Sequence, residues 1–88
     1  MTYHIEFSPE ARQDLAQLDK VVAERILRKL RWLSENFDIL TPETLSGEWK
    51  DLFKLRVGSY RVIYTVNYKE QLLTIHLVGH RRDIYKPK

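Results

Sequence analysis

Apolar and polar residues alternate at the beginning of the chain, which is the spacing of a strand with one buried face. Tyr3, Ile5 and Phe7 are separated by polar residues in the segment MTYHIEF. Ser8-Pro9 follows, a helix-capping residue and then a proline at the first helical position, where its missing N–H is not needed. The pattern predicts one strand that leads directly into a helix.

The next segment changes to helical spacing. Ala11, Leu15 and Leu18 fit one short helix. Asp19 can cap a second helix, whose apolar residues lie three or four positions apart: Val22, Ile26, Leu30 and Leu33. These helices predict a helical hairpin. From Asn36 to Gly47 the periodicity is weak and turn-forming residues are frequent, so we expect a connecting loop there.

Strand-like alternation returns from Leu52 onward. It is interrupted by turn residues at Gly58-Ser59 and again from Asn67 to Gln71, which divides it into three strands, the last from Leu72 to Gly79. The predicted order is β-α-α-β-β-β, an α+β fold in which the helical hairpin packs on one face of a mainly antiparallel sheet. Because 88 residues suffice for only one compact core, we expect a single domain over residues 1–88.

Pleat alternation divides the predicted sheet into two faces. The apolar face is expected to lie under the helices and carries Tyr3, Ile5, Phe7, Phe53, Leu55, Tyr60, Val62, Tyr64, Leu73, Ile75 and Leu77. The opposite face carries His4, Glu6, Lys54, Arg56, Arg61 and His76. We therefore expect the uncovered face of the sheet to be basic.

The charge distribution indicates a surface that binds polyanions. The formal net charge is +3, but residues 1–49 hold six Lys/Arg against nine Asp/Glu, whereas residues 50–88 hold nine against three. The cationic half ends in the run His80-Arg81-Arg82-Asp83-Ile84-Tyr85, which should lie beside the basic face. Nucleic acid is the usual partner of such a surface.

Cations, histidines and a tyrosine beside a sheet fit RNA, because the cations meet phosphate and the ring can stack on an unpaired base. The same groups could cleave RNA: attack by the 2′-OH needs a base, cations for the developing charge and an acid for the 5′-oxygen, with no metal or cofactor. We interpret other notable side chains as structural. His4 and His76 are expected to be hydrogen-bonded, Trp32 and Trp49 to belong to the core or a lid, and Arg25, Lys29 and Arg31 to form a solvated helix face.

Several classes of protein are excluded or disfavoured. With no cysteine, the chain has neither a disulfide framework nor a thiolate zinc site. We find no secretory signal pattern and no apolar run long enough to cross a membrane, so a cytoplasmic protein with no membrane partner is expected. A phosphate-binding glycine loop, a nucleophile elbow and an HExxH motif are also missing from the sequence.

The chain resembles the RelE toxins of bacterial and archaeal toxin–antitoxin modules. The resemblance covers nearly the whole chain and rests on the predicted element order, Leu45-Ser46-Gly47, FKLR followed by YRVIY at residues 60–64, and GHRRDIY at residues 79–85. It implies a ribosome-dependent endoribonuclease that cuts mRNA in the ribosomal A site and arrests translation. It also implies a tightly bound antitoxin from the same operon, hence a hetero-oligomer.

The resemblance also implies roles for individual residues. The family's strand lysine falls on Lys54, its phosphate-binding arginine on Arg61, its late-strand arginine on Arg81 and its C-terminal tyrosine on Tyr85. Leu52 stands where some members have a second lysine. Three further residues complete the predicted site: Arg56 and Arg82 as RNA or phosphate contacts, and His80 as an acid or base.

The identity of the general base is left open between Lys54 and His80. Positive neighbours favour the neutral form of a lysine, which can accept a proton from the 2′-OH. Two other functions also remain. The related ParE toxins share the fold and act on DNA gyrase, and a basic RNA-binding module would bind without cleaving.

Overall fold

The structure is a computed structural model that describes residues 2–45 and 51–84. In chain order its elements are β1 (His4–Phe7), α1 (Pro9–Ala16), α2 (Lys20–Asn36), a 3-10 helix (Phe37–Ile39), β2 (Glu43–Thr44), β3 (Phe53–Val57), β4 (Tyr60–Asn67) and β5 (Leu72–His80). The predicted α+β order is confirmed, with one short strand added between the helices and β3.

The strands form one mixed sheet in the order β1-β5-β4-β3-β2. β1 runs parallel to β5, and the other neighbours are antiparallel. The β3–β4 hairpin turns at Gly58, whose φ of 60° lies in the left-handed region that glycine adopts without strain. This hairpin brings Arg56 opposite Arg61 and Lys54 opposite Ile63.

Both helices begin where the sequence predicts. The Ser8 side chain accepts a hydrogen bond from the Ala11 amide at 3.1 Å, and Pro9 follows as the first helical residue. Asp19 occupies the N-cap position of α2 without a side-chain cap bond. Each helix turns its apolar residues toward the sheet, where Ala11, Ile26 and Leu30 are almost completely buried.

The core lies between the helices and one sheet face. Tyr64 is its largest fully buried side chain. Its ring stacks on Phe53, with 5.6 Å between the ring centroids, and meets the edge of Phe37 at 6.3 Å. Burial, with a smaller contribution from nearby Tyr68, raises the pKa of Tyr64 from 10.0 to about 12.

The expected loop from Asn36 to Gly47 is only partly correct, because that segment contains regular structure. Phe37 is buried, and its ring centroid lies 4.9 Å from that of Tyr3, which holds the chain in a 3-10 turn after α2. β2 then pairs with β3, and the Leu45 amide donates to the Leu52 carbonyl at 3.0 Å. Gly47 lies outside the described residues.

The prediction that Leu77 faces the core is wrong. The register of β4 and β5 shifts between Ile63 and Tyr64, so β5 holds one extra residue, a β-bulge. Beyond the bulge Val78, only 4% exposed, occupies the core, and Leu77 lies opposite Ile63 on the other face. A bulge of one residue exchanges the two faces of the strand that follows.

Trp32 was expected in the core or a lid, and the structure excludes the core. Its side chain lies on the outer part of α2 and is 41% exposed. Lys29, one helical turn earlier, places its ammonium 3.9 Å from the Trp32 ring centroid. Trp49 lies outside the described residues.

Candidate functional site

The cations of β3 and β4 lie on the sheet face opposite the helices, which we call the open face; it carries Lys54, Arg56, Arg61, Ile63, Thr65, Leu77 and Gly79. Strand register sets their spacing. Arg56, Arg61 and Gly79 form one row across three strands, and Lys54, Ile63 and Leu77 form the next. Diagonal neighbours across antiparallel strands lie roughly 7–8 Å apart, which places Lys54 and Arg61 on either side of a space of that size.

Arg61 lies at the turn end of the β3–β4 hairpin, with its guanidinium directed by backbone carbonyls. Its Nη1 donates to the Gly58 oxygen at 2.9 Å and to the Tyr60 oxygen at 2.8 Å. A guanidinium has five N–H donors in a fixed plane, so the Nε and Nη2 donors remain for an anion. The turn therefore orients an arginine that can still bind phosphate.

Arg56 is paired with a carboxylate. Its Nε and Nη2 donate to the two oxygens of Glu43, each at 3.1 Å. Glu43 lies directly across from Lys54 in the strand register but binds Arg56 instead. Both partners of this ion pair are largely exposed, and such pairs contribute little free energy, so an incoming phosphate can displace the carboxylate.

The middle of the open face is apolar, where the expectation from sequence was a basic face. Ile63 is only 3% exposed although it lies outside the core between helices and sheet. Leu77 is its partner on β5. Next to them, a Cβ built on Gly79 would lie 3.4 Å from the Cδ1 of Ile84, so the chain after β5 folds back over this glycine. The cations therefore border an apolar patch.

The segment after β5 is attached to the β3–β4 turn. The Arg81 amide donates to the Ser59 carbonyl at 2.8 Å, and the His80 carbonyl accepts from the amides of Asp83 and Ile84. These bonds bring Arg81 to the same end of the sheet as Arg61, with the Arg81 and Arg82 side chains exposed. Tyr85 lies outside the described residues, so its role stays a prediction.

His80 does not share the open face with Lys54 and Arg61. It lies opposite Tyr60, and the two rings meet edge to face with 5.5 Å between their centroids. Its Nδ1 accepts the Arg82 amide at 3.1 Å, which leaves Nε2 to carry the proton of a neutral ring. A catalytic role for His80 therefore requires substrate to reach around the end of the sheet.

His76 lies at the β5 bulge, which directs its ring toward the open face. Its Nε2 is 2.8 Å from the Thr65 hydroxyl, and its carbonyl accepts from the Ser8 hydroxyl at 3.2 Å. The interpretation of His76 as a hydrogen-bonded structural residue agrees with these contacts.

Two of the three cations interpreted from sequence as a solvated helix face, Arg25 and Lys29, also line an open groove, where Arg28 joins them and Arg31 does not. The groove is lined by α2 on one side and by the β3–β4 hairpin on the other. The α2 residues are Arg25, Arg28, Lys29 and Trp32, and the hairpin residues are Arg56, Val57 and Gly58. The available signal was their spacing, since positions three, four and seven apart lie on one side of a helix. It was missed because sequence pattern cannot show that the β3–β4 turn packs beside that side.

Within residues 2–45 and 51–84, no group of three or more His, Asp or Glu side chains is placed to hold a metal ion. No helix in the described part of the chain has the length and apolar character needed to cross a membrane.

Comparison with known proteins gives the class of protein first. The family model described as "ParE toxin of type II toxin-antitoxin system, parDE" matches residues 5–85. The chain belongs to this family, so it is a toxin of a type II toxin–antitoxin module.

Individual relatives then narrow the assignment. Toxin RelG of Mycobacterium tuberculosis is 27% identical over 86 residues, which cover 98% of this chain and 99% of that protein. The RelBE2 toxin–antitoxin complex of M. tuberculosis contains a chain that superposes with a TM-score of 0.83 at 26% identity, covering 94% of this chain and 95% of that one. The archaeal RelE–RelB complex of Pyrococcus horikoshii gives 0.69 at 31% identity, covering 94% and 99%. Within the RelE/ParE superfamily, this protein is a RelE-type toxin.

Proposed function

We propose that this toxin is a ribosome-dependent endoribonuclease that cuts mRNA in the ribosomal A site and so arrests translation. The observation that carries the proposal is the row geometry of the open face. Arg61 is oriented by the β3–β4 turn, Lys54 lies diagonally across from it, and Arg81 is attached to the same turn. This arrangement supplies concentrated positive charge at one end of an exposed sheet face.

The chemistry is an internal transfer within RNA. The 2′-hydroxyl loses a proton and attacks the adjacent phosphorus, the bond to the 5′-oxygen breaks, and that oxygen takes up a proton. The products are a 2′,3′-cyclic phosphate and a 5′-hydroxyl. The reaction consumes no water, and side chains can supply the acid, the base and the positive charge without a metal ion. Preorganised cations stabilise the charge that grows on the phosphoryl oxygens.

Each site residue has a distinct part in the proposal. Arg61 and Arg81 stabilise the developing charge, and Lys54 is the general base. Arg56 and Arg82 bind neighbouring phosphates, with Glu43 giving up Arg56 when RNA arrives. Tyr85 positions a base or donates its hydroxyl proton. His80 is the alternative acid or base, and its edge-to-face contact with Tyr60 makes Lys54 the better candidate for the base.

We also propose a cognate antitoxin, encoded in the same operon, as the stable partner in a hetero-oligomer. The structures of the M. tuberculosis and P. horikoshii relatives are of toxin–antitoxin complexes. An acidic segment that folds on binding would complement the exposed cations and keep mRNA from the open face. The proposed place of action of both partners is the cytoplasm.

A second candidate is inhibition of DNA gyrase, which the ParE name of the matching family favours. It predicts loss of gyrase supercoiling activity at toxin concentrations that leave mRNA intact. A module that binds RNA without cleaving it would instead occupy ribosomes and leave their mRNA uncut. One set of assays separates the three functions.

The deciding assay adds purified toxin to translating ribosomes and maps mRNA ends by primer extension. The proposal predicts cuts at A-site codons, no cuts in the same mRNA without ribosomes, and unchanged gyrase supercoiling. Arg61→Ala should lower the single-turnover rate by about 10² to 10³-fold, because one donor to developing charge is lost. Arg12→Ala, an exposed arginine on α1, is the matched control and should cut normally. Uncut mRNA with inhibited gyrase would instead establish the second candidate.

A further inference from the structure

The groove between α2 and the β3–β4 turn is a second basic surface, which adjoins the open face and shares Arg56 with it. Its volume is about 580 Å³, and its charged lining consists of Arg25, Arg28, Lys29 and Arg56. Because Arg56 is neutralised by Glu43, the helix supplies the free positive charge.

The α2 residues form a continuous stripe. The stripe follows one side of the helix over about 10 Å, because its residues lie three or four positions apart. It runs from Arg25 through Arg28 and Lys29 to Trp32. The Lys29 ammonium lies 3.9 Å from the centroid of the Trp32 ring, which is therefore held in place. The Trp32 side chain is 41% exposed, so part of its surface is accessible to a planar group.

Cations from both surfaces converge on the β3–β4 turn. A Cβ at Gly58 would lie 3.5 Å from Nη1 of Arg25, and the Gly58 carbonyl accepts from Arg61. β2 pairs only with Phe53 and Lys54, so the rest of β3 is an uncovered edge in the described structure. A flexible polyanion could pass from the open face around this edge to the stripe.

We propose that this groove binds single-stranded RNA, with Arg25, Arg28 and Lys29 on its phosphates and Trp32 stacked on one base. RNA is favoured over an acidic peptide because, of the apolar residues lining the groove, Val57 is buried and Trp32 is exposed, and the Trp32 ring can stack on a base. A tryptophan among cations is the usual arrangement for unpaired nucleotides. The inference concerns binding alone and holds whether or not the chain cleaves RNA.

The test measures binding of a fluorescein-labelled 2′-O-methyl RNA oligonucleotide, which cannot be cut by its own 2′-hydroxyl. Fluorescence anisotropy gives the affinity across a salt series. Arg25→Gln with Arg28→Gln should weaken binding about tenfold or more and reduce the slope of log K against log salt by about 1.4, the value for two lost phosphate contacts on a single strand. Trp32→Leu should weaken binding by at least about fivefold.

The matched control is Arg12→Gln with Lys69→Gln, which neutralises two exposed cations, one on α1 and one in the β4–β5 turn. It changes net charge equally and should leave the slope nearly unchanged. An equal loss in the control would overturn the inference, since net charge alone would explain it. A second result would also overturn the inference: Trp32→Leu binds RNA with wild-type affinity, and poly-glutamate competes with the labelled RNA as well as unlabelled RNA does. That result would indicate a surface for acidic peptides.

A fluorescence measurement keeps the inference testable if Trp32→Leu does not fold. In a Trp49→Phe background Trp32 is the sole tryptophan of the chain. Stacking on a base should quench its emission in proportion to the bound fraction seen by anisotropy. Binding without any change in emission would rule out Trp32 as the stacking residue and overturn the proposed mode.

Discussion

At the scale of single residues, chemistry and stability depend on different side chains. Arg61 and Lys54 lie on the open face, where hydrogen bonds to the turn and strand register fix their positions. Tyr64 lies on the opposite face and belongs to the core. Substitutions on the two faces should therefore separate activity from folding.

Lys54→Arg should cut slowly while binding ribosomes almost normally. Arginine keeps the positive charge that attracts phosphate, but a guanidinium stays protonated at any working pH and cannot accept a proton. Single-turnover cleavage from about pH 6 to about pH 9 measures the effect, alongside ribosome co-sedimentation. Full activity with an unchanged pH profile would exclude Lys54 as the base and transfer the role to His80 or another group.

Tyr64→Phe should reduce the loss of stability in alkali. The folded state raises the pKa of Tyr64 from its usual 10.0 to about 12, because burial disfavours the phenolate. The unfolded chain therefore loses this proton first, and the contribution to stability, complete below about pH 10, disappears as the pH rises toward 12. Urea unfolding at several pH values should show a smaller decrease in the variant. Parallel curves for the two proteins would contradict the assignment.

At the scale of elements, α1 fixes the bulge of β5. The Val78 amide donates to the Asp14 carboxylate at 3.0 Å, and the Ser8 amide donates to the Ile75 carbonyl at 2.9 Å. These bonds lie on either side of the bulge at His76: the Ser8 amide continues the β1–β5 ladder, and the Asp14 carboxylate satisfies an amide beyond the end of β1. The helix therefore helps to determine which face each later residue of β5 occupies.

Asp14→Ala should lower the free energy of unfolding by about 1–3 kcal/mol, because the half-buried Val78 amide loses its charged acceptor. Asp14→Asn keeps an acceptor oxygen and should lose less. Gln13→Ala is the control, an exposed neighbour on the same helix. Chemical denaturation measures all three variants, and equal midpoints for Asp14→Ala and Gln13→Ala would show that the bulge does not depend on this bond.

The bulge also shows how far the sequence determines the fold. Alternation within each strand predicted the faces of Lys54 and Arg61 correctly, because those residues lie on the uninterrupted β3–β4 ladder. It failed for Leu77 and Val78, because the bulge is set by hydrogen bonds from Asp14 and Ser8, which are distant in sequence. Local periodicity carries no record of such contacts.

In the candidate site, too, some features could be predicted from the sequence and others could not. Charge and strand pattern were enough to propose the arginines and the lysine. The Glu43–Arg56 pair could not be predicted, because β2 was not expected as a strand. The contact of His80 with Tyr60 depends on the same shift of faces as Val78.

At the scale of the whole molecule, cations extend from the open face around the β3–β4 turn to α2. A formal net charge of +3 understates the open-face part of this surface, since residues 50–88 hold nine Lys/Arg against three Asp/Glu, whereas α2 lies in the acid-rich first half of the chain. Under the proposed function, an acidic antitoxin covers the open face and RNA replaces it there, whereas the stripe on α2 is the part of this surface that we propose binds RNA.

The cognate antitoxin should raise the melting temperature of the toxin. A ligand that binds only the folded state at about a hundredfold excess over its Kd adds about 2.7 kcal/mol, roughly 10 °C or more for a protein of this size. Differential scanning fluorimetry with the co-encoded protein measures the shift. An unrelated acidic protein of similar size is the control and should give little change. No shift with the co-encoded protein would exclude it as the stable partner.

The most direct test of the proposed function compares two mRNAs on ribosomes programmed for single turnover. One is all-ribose, and the other carries a 2′-deoxynucleotide at the predicted cleavage position in the A site. We predict that the ribose mRNA is cut to a 2′,3′-cyclic phosphate and a 5′-hydroxyl, while the deoxy mRNA stays intact at that position. Cleavage of both at the same rate would contradict attack by the 2′-hydroxyl, and an intact ribose mRNA would contradict the endoribonuclease itself.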